Sequence, residues 1–241
     1  MLIEAEARAQ AQTQTSLAAL PASWWEAHGD WVEDVNQRRG GYSGIQKLPD
    51  PAGDRAYFVK RQVNHVYRDL RFPSGRPTLL REWLNIHRCA KLGVPTAEPV
   101  FFDMRKGAAG WEAVLVTREL PGYISLDEGI RKGRWTQAQR LDIWSALVRA
   151  LAPLHRAGRK HGHLYPKEIF VRYESVAEIV LLDWEIARYV GRSRWAAQSD
   201  LGRLWRSLIE LGIGEAERRV FMDRYQAASG LGQLKLRGVP D

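Results

Sequence analysis

Residues suited to handling a phosphate group occur in three places along this chain. Gly40, Gly41 and Gly44 fall in one short turn-like segment, where the missing Cβ atoms let backbone amides approach phosphate oxygens closely. Lys60 ends an apolar run and would supply a positive charge to the phosphates. Asp183 ends another apolar run, and its carboxylate is a hard ligand suited to magnesium. Together these residues indicate a site for a nucleotide and its metal ion.

Each residue also has an ordinary structural explanation. The glycines could form only a hairpin turn, and Lys60 could be an edge-strand lysine that deters aggregation. Asp183 could merely terminate a strand, and Asp200, in Ser-Asp-Leu, could be only a helix N-cap. The joint order of the residues along the chain, not any single residue, favours the functional interpretation.

The first half of the chain has mostly the pattern of β-strands. Residues 31–60 predict strand, turn and strand, with a third short strand at residues 56–60. Residues 79–92 have the apolar periodicity of a helix. Residues 99–102 and 113–117 predict a β-hairpin.

The second half is mainly helical. A long periodic stripe predicts a helix over residues 136–155, followed by two short strands at 169–171 and 179–182. Two further helices are expected near residues 200–211 and 215–228. The predicted fold is therefore α+β with two lobes: a small β-rich N-lobe with one helix and a compact, mainly helical C-lobe.

The composition restricts the class of protein. The 241 residues are 45% hydrophobic, which is enough for one large core or two modest ones. The net charge of +8 favours anionic partners such as nucleotides, nucleic acid, phosphorylated sugars or acidic lipid headgroups. The single cysteine, Cys89, excludes an intrachain disulfide and is expected to be a small buried residue.

The domain boundaries follow from changes in composition. Residues 1–22 are rich in Ala, Gln and Thr and are expected to be a leader that could be mobile, with no apolar core of a secretory signal. The N-lobe is assigned to residues 23–121 and the C-lobe to residues 122–241. We expect a cytoplasmic protein that could contact the inner membrane peripherally through its basic surface.

The order of these segments resembles the signature set of protein kinases. A glycine-rich turn comes first, Lys60 ends a strand, and Glu82 lies in the following helix. His161-Gly162-His163-Leu164 then precedes a strand, and Asp183 ends the next one. Each motif alone is weak, but five in this order on these types of element are much more specific.

More narrowly, the chain is similar to the lipopolysaccharide core kinases of the Kdo/WaaP family, especially their acid-inducible InaA-like branch. The resemblance spans roughly residues 31–212. It implies an ATP-dependent kinase that phosphorylates a sugar of the lipopolysaccharide inner core, Kdo or heptose. The segments that support the resemblance are Asn36–Gly41, Val59–Gln62, Arg76–Glu82 and His161–Lys167.

The resemblance also implies roles for single residues. The glycine-rich turn and Lys60 would bind the phosphates of ATP, and Glu82 would hold Lys60 in place as an ion pair. Asp183 would bind Mg²⁺, and Asp200 could accept backbone amides of the catalytic loop in addition to capping its helix. We predict that Lys60 and Asp183 converge on one nucleotide.

The catalytic loop departs from the common kinase pattern. A typical kinase has Asp where this chain has His163, and Asn where it has Glu168. Glu168 could still be a second metal ligand, and a neutral His163 could accept a hydroxyl proton, because histidine titrates near pH 6.5. A degenerate kinase in which His161 and His163 only pack the loop remains open.

A basic segment follows Lys60, and we predict that it faces the phosphates and carboxylates of an acidic acceptor. An ordinary exposed loop is the alternative. The basic residues concerned are Arg61, His65, Arg68, Arg71, Arg76 and Arg81.

A short segment without an Ala-Pro-Glu element follows Asp183. This favours a small molecule or a glycolipid as the acceptor over a protein chain.

Two functions therefore compete. The first is the lipopolysaccharide core kinase, and the second is a catalytically impaired pseudokinase that acts as a nucleotide-binding or regulatory module in the envelope or acid-stress response. Nucleic-acid binding is not expected, because the basic charge has no helix-turn-helix or paired Cys/His motif beside it.

Overall fold

The computed structural model describes residues 23–32, 34–38, 40–50, 55–236 and 238–239. The predicted leader, residues 1–22, lies outside the described residues. The chain divides into two compact units. The first contains the described residues up to Ile86 together with Ala97–Pro121, and the second contains His87–Thr96 and the described residues from Gly122 onward.

The first unit is built on an antiparallel sheet. Its described elements are β1 (Asp30–Trp31), β2 (Asn36–Arg38), β3 (Gly41–Pro49), β4 (Ala56–Val63), β5 (Val66–Tyr67), β6 (Arg76–Pro77), α1 (Thr78–Lys91), β7 (Pro99–Gly107) and β8 (Gly110–Arg118). The main sheet has the strand order β1-β3-β4-β8-β7, with β2 paired to β3. Strands β7 and β8 form the predicted hairpin, and both strands are longer than predicted. Strand β5 pairs with β6.

Strand β4 is longer than the sequence indicated and lies inside the sheet. It continues past Lys60 to Val63, and it pairs with β3 on one side and β8 on the other. The interpretation of Lys60 as an edge-strand lysine is therefore wrong, because its strand has a hydrogen-bonded neighbour on each side.

Both faces of this sheet are covered. One face has a cluster of buried residues in which Trp24 meets Tyr57 edge to face, with ring centroids 5.2 Å apart. Helix α1 contributes the buried Leu79, Leu80 and Trp83, and Trp83 stacks on Phe102 at 5.7 Å. The cluster consists of Trp24, Leu48, Tyr57, Val59, Val100, Val114 and Val116.

Arg61 is part of this interior and not of an exposed basic loop. It is only 6% exposed, and its guanidinium donates to the carbonyl oxygens of Trp24 and Ala27 and, at 2.9 Å, to Oε1 of Gln46. The prediction that Arg61 faces an acidic acceptor is therefore wrong. Its side chain instead ties residues 24–27 to the sheet through hydrogen bonds to their carbonyl oxygens.

The predicted glycine-rich turn is shorter than its sequence suggested. Gly40 has a φ of 72°, in the left-handed region, while Gly41 and Gly44 already belong to β3. A Cβ on Gly41 would overlap the carbonyl oxygen of Val63, and one on Gly44 would lie 2.5 Å from the ring of Trp31. These two glycines therefore have a packing reason of their own, beside the predicted contact with phosphate.

Replacing Gly41 by alanine is expected to destabilise the protein by about 1–3 kcal/mol, because a backbone carbonyl must move to admit the methyl group. The midpoint of thermal unfolding should fall by several degrees. Gly214→Ala is the comparison, since nothing lies within 4 Å of a Cβ at that position and only the small cost of a poorer N-cap for the helix that begins at Glu215 is expected. Equal midpoints for the two variants would contradict the packing explanation.

The second unit is mainly helical. Its described elements are β9 (Ile124–Ser125), α2 (Leu126–Arg131), α3 (Gln137–Arg156), β10 (Arg159–Lys160), β11 (Ile169–Tyr173), β12 (Ala177–Leu181), β13 (Arg188–Tyr189), α4 (Ser193–Glu210) and α5 (Glu215–Ser229). A 3₁₀ turn, Pro166–Glu168, precedes the β11–β12 hairpin, and β9 pairs with the other edge of β11. Strands β10 and β13 form a separate antiparallel pair.

Helix α3 is the central element of this unit. It begins with a capping box, in which the side chains of Thr136 and Gln139 each accept from the other residue's backbone amide. Its Trp144 packs against Trp205 of α4 and Phe221 of α5, with centroids 6.0 and 6.4 Å away. The indole nitrogen of Trp144 donates to buried Glu217 at 2.8 Å, which satisfies the polar edge of the ring.

Most predicted elements are present, and the α+β class is confirmed. Helix α4 begins earlier than predicted, so Asp200 lies within it and the N-cap interpretation of Asp200 is wrong. Cys89 is buried, as predicted, and burial raises the pKa of its thiol to about 12. Among the described residues, no helix is both long and apolar enough to cross a membrane.

Candidate functional site

The first unit holds the predicted lysine and its partner. Nζ of Lys60 lies 2.8 Å from Oε2 of Glu82, so the predicted ion pair between β4 and α1 is present. A second bond between the same elements joins the Thr78 hydroxyl to Oε1 of Gln62 at 2.7 Å. The Glu82 side chain is 8% exposed and that of Lys60 is 19% exposed. The partly exposed amine is thus held at a fixed place on the strand.

In the second unit, the loop that begins at His161 is fixed from helix α4. Oδ2 of Asp200 accepts the backbone N–H of His161 at 2.6 Å, and Oδ1 accepts that of Gly162 at 3.0 Å. These are the predicted contacts of Asp200 with the catalytic loop. Asp200 is fully buried, and although burial acts to raise its pKa, bonds from His155 and the loop amides lower the pKa overall. A buried carboxylate therefore sets the shape of the loop.

His161 connects this loop to the segment that contains Asp183. It is fully buried, and burial lowers the pKa of its imidazole, which favours the neutral ring. Its Nε2 lies 2.9 Å from the carbonyl oxygen of Leu182, and its Nδ1 accepts the N–H of His163 at 3.3 Å. The N–H of Leu182 in turn donates to the carbonyl of Glu168 at 2.9 Å. His161 is therefore a packing residue of the loop.

Asp183 follows this anchored peptide in an unusual backbone conformation. Its φ is 60°, in the left-handed region that Asp tolerates better than most residues. Its Oδ2 lies 2.5 Å from Nδ1 of His163. One ligand atom from each of His163, Glu168 and Asp183 lies within 4.8 Å of the others. Three residues predicted from two motifs, the catalytic loop and the segment that ends at Asp183, thus meet at one place in the second unit.

The chemistry of this cluster fits a hard cation. Glu168 and Asp183 offer carboxylate oxygens, which Mg²⁺ prefers, whereas imidazole nitrogen suits transition metals better. Burial, followed by the charge of Asp183, raises the pKa of Glu168. Two neighbouring carboxylates that repel one another gain most from a divalent cation.

The remaining arginines of the basic segment of the first unit divide into two groups, and the contact of half-buried His65 with an acceptor stays a prediction. The guanidinium of Arg76 stacks on Phe72 and Trp111, 5.1 and 5.0 Å from the centroids, and that of Arg81 lies 4.8 Å from Tyr67. The cation–π contacts of these two arginines stabilise the fold, whether or not the arginines also bind a ligand. Arg68 and Arg71 are exposed, and their contact with an acidic acceptor stays a prediction.

Arg203 is a residue of this site that the sequence analysis missed. Its Nη1 donates to the carbonyl oxygen of Gly162 at 2.6 Å, so one turn of α4 holds both the amide and the carbonyl of this peptide segment. Its position three residues after Asp200, on the same helix face, was the available signal.

Comparisons with known proteins agree with these features. The sequence profile of the lipopolysaccharide kinase (Kdo/WaaP) family matches residues 22–225. Protein InaA of Escherichia coli (strain K12) is 34% identical over 184 residues, which cover 75% of this chain and 84% of that protein.

A solved structure of WaaP in complex with acyl carrier protein superposes with a TM-score of 0.59. It is 22% identical in sequence and the match covers 82% of this chain and 79% of that one. At this identity the similarity shows the fold alone, and it confirms the kinase-like fold that the sequence predicted.

Proposed function

Because the chain belongs to the lipopolysaccharide kinase (Kdo/WaaP) family, we propose that it transfers the γ-phosphoryl group of ATP to a hydroxyl of an inner-core sugar, Kdo or heptose. The observation that best supports this proposal is the cluster of His163, Glu168 and Asp183, whose ligand atoms lie within 4.8 Å of one another. Phosphoryl transfer needs mainly positioning and charge neutralisation, and these are what such a cluster can supply.

Lys60 has the role of phosphate neutralisation in this proposal. Its ion pair with Glu82 keeps the amine in one position on β4, so that little rotamer entropy is lost when a phosphate binds. The turn at Gly40 and the amides around Gly41 and Gly44 are proposed to approach the same phosphates.

His163 is proposed to receive the proton of the acceptor hydroxyl. The hydroxyl oxygen bonds to the γ-phosphorus while the bond from that phosphorus to the β,γ-bridging oxygen breaks and ADP leaves. Nδ1 of His163 faces Asp183 at 2.5 Å, and Nε2 has no hydrogen-bond partner among the described residues. Nε2 is therefore the nitrogen that can take the proton, while Asp183 orients the ring.

Glu168 and Asp183 are the residues that would hold Mg²⁺, which when bound would neutralise charge on the phosphates. Asp200, Arg203 and His161 do not contact the reacting atoms in this proposal. They are positioning residues that fix the loop through its backbone.

The second candidate is a pseudokinase that binds nucleotide without transferring phosphate. The observation that favours it is the replacement of the usual kinase Asp by His163 and of the usual Asn by Glu168. Such a protein would gain thermal stability from Mg²⁺ and ATP, because a ligand of the folded state alone raises the midpoint. It would nevertheless leave every core sugar unlabelled.

The deciding experiment is incubation of the protein with Mg²⁺, γ-labelled ATP and purified lipopolysaccharide. The kinase proposal expects label in the core sugars and a rate about a hundredfold lower for Lys60→Met, since one charge-stabilising group is lost. Lys91→Met, which removes an exposed lysine of α1, is the matched control. ATP-dependent stabilisation with no labelled sugar would establish the pseudokinase instead.

We also propose that the protein works at the cytoplasmic face of the inner membrane. The loop between β5 and β6 supports this, because Leu70 is fully exposed at its tip, between exposed Arg68 and Arg71. An apolar side chain flanked by cations suits contact with acidic lipid headgroups.

A further inference from the structure

Helix α4 forms one wall of a small pocket in the second unit. The pocket has a volume of about 250 Å³, and we refer to it as the α4 pocket. Its residues recur along one face of the helix, at a spacing that places them above one another. They are Trp195, Gln198, Ser199, Arg203 and Arg206.

A buried lysine adjoins this pocket. Lys160 is 7% exposed, and its Nζ lies 4.7 Å from the ring centroid of Trp195. In the part of the chain that the structure describes, this ammonium has neither a carboxylate within ion-pair distance nor a hydrogen-bond acceptor. Lys is rarely covered to this extent without a carboxylate partner, and because the ammonium nitrogen is not itself fully enclosed, an anion from solution can reach it.

The surroundings of Lys160 are themselves positive. Arg188 is its cross-strand partner between β10 and β13, where like charges destabilise the pairing. Burial, then Arg188 and also Arg203, lower the pKa of Lys160, while Asp200 offsets part of this effect. Asp200 is already committed to the amides of His161 and Gly162. An anion bound from solution would reduce the electrostatic repulsion among these cations.

Arg203 connects the α4 pocket to the proposed catalytic residue. Only its Nη1 is hydrogen bonded among the described residues, to Gly162, which precedes His163 in the loop. Its guanidinium lies 5.5 Å from the ring of Tyr165, and that ring lies 4.9 Å from the ring of His163. The ring of Tyr165 therefore lies between Arg203 and His163, the residue proposed to receive the acceptor proton, so a group bound in the pocket would be one aromatic ring away from it.

The size of the pocket limits what it can bind. Pockets that enclose whole drug-sized ligands measure roughly 300–1,000 Å³, so this one suits a single group of a larger molecule. Arg forks bind phosphate and carboxylate oxygens bidentately, Lys adds a point charge, and Gln and Ser add neutral polar groups. Trp195, 43% exposed, offers an apolar surface to the carbon skeleton of a sugar.

We propose that the α4 pocket binds a phosphate or carboxylate of the acceptor sugar and thereby places a more distant hydroxyl of the same molecule at His163. The proposal rests on the kinase function proposed above, and it names an acidic sugar as the acceptor class. It also assigns recognition of the acceptor to the second unit, in addition to the predicted contacts of Arg68 and Arg71.

The first test measures anion binding and needs no catalysis. The full chain is titrated with inorganic phosphate, and separately with Kdo, whose acid group is a carboxylate, in chloride buffer of constant ionic strength without nucleotide or Mg²⁺. We expect the unfolding midpoint to rise with one or both anions. Lys160→Met and Arg206→Gln should each weaken binding about tenfold, the effect of losing one charge-assisted contact. Lys91→Met should bind as the wild type does.

The two anions identify the source of the bound group. A response to phosphate alone indicates a phosphorylated acceptor, and a response to Kdo alone indicates its carboxylate. A response to both indicates that either group is accepted. Each of these results supports the pocket when Lys160→Met and Arg206→Gln weaken the response, since phosphate bound at Lys60 would not depend on those residues. No response to either anion, or equal binding by wild type, Lys160→Met and Arg206→Gln, would overturn it. Arg206 is exposed, so its variant keeps the test decisive if Lys160→Met does not fold.

The second test uses the kinase assay. Lys160→Met and Arg206→Gln should raise the KM for lipopolysaccharide about tenfold and leave the KM for ATP unchanged. An unchanged KM for lipopolysaccharide would overturn the assignment to the acceptor. If no sugar is phosphorylated at all, the kinase proposal fails while the anion titration still decides whether the pocket binds an anion.

Discussion

Replacing Asp183 with asparagine is expected to lower the rate of phosphotransfer about a thousandfold while leaving the fold intact. The substitution removes the charge of a proposed metal ligand from the cluster with His163 and Glu168, and effects of this size follow the loss of one group that stabilises transition-state charge. Asparagine also tolerates a φ of 60°, so the backbone conformation should persist. Steady-state rates with lipopolysaccharide as acceptor measure the effect.

The same variant should lose the part of the ATP-induced rise in unfolding midpoint that depends on Mg²⁺. Glu174→Gln is its control, since it removes one carboxylate charge from an exposed position in the same unit. If Asp183→Asn keeps the wild-type rate and the wild-type Mg²⁺ dependence, Asp183 does not hold the metal.

Asp200→Ala is expected to destabilise the protein by about 3–5 kcal/mol, the range for removing one partner from a buried charged network. The change leaves the backbone N–H groups of His161 and Gly162 without their acceptor and removes the neighbour of His155, 3.2 Å away. Unsatisfied buried donors account for much of the loss. The midpoint of thermal unfolding should fall by about 10 °C or more.

Asp223→Ala provides the comparison for this variant. It removes the same side chain from an exposed position of α5 and should change the midpoint by no more than a degree or two. A midpoint for Asp200→Ala close to that of Asp223→Ala would show that the loop does not depend on the buried carboxylate.

Elements with a strong local pattern could be predicted well from the sequence. The apolar periodicity of α3 and the short apolar runs of β11 and β12 located those elements. Their exact ends could not be predicted, because they depend on partners. Strand β4 continues to Val63 since both β3 and β8 offer it hydrogen bonds there.

Single charged residues were predicted less reliably. The sequence predicts Arg61 in an exposed loop. The alternation of side chains along β4 instead directs it into the interior, where its guanidinium donates to carbonyl oxygens of residues 24–27. For Asp200 the sequence predicts a helix N-cap and an acceptor of the loop amides, and only the contacts with the loop amides are present. A side chain's charge does not reveal its direction, which follows from the register of the element that bears it.

The sequence alone determined the family, the order of the elements and the residue types available for phosphate chemistry, because these depend on local pattern and motif order. The tertiary structure decided which of those residues meet. His163, Glu168 and Asp183 gather only because His161 and Asp200 hold their loops by the backbone. Lys160 similarly meets Trp195 only in the folded second unit. Distances between segments remote in sequence are set by packing of the whole unit, and no local pattern encodes them.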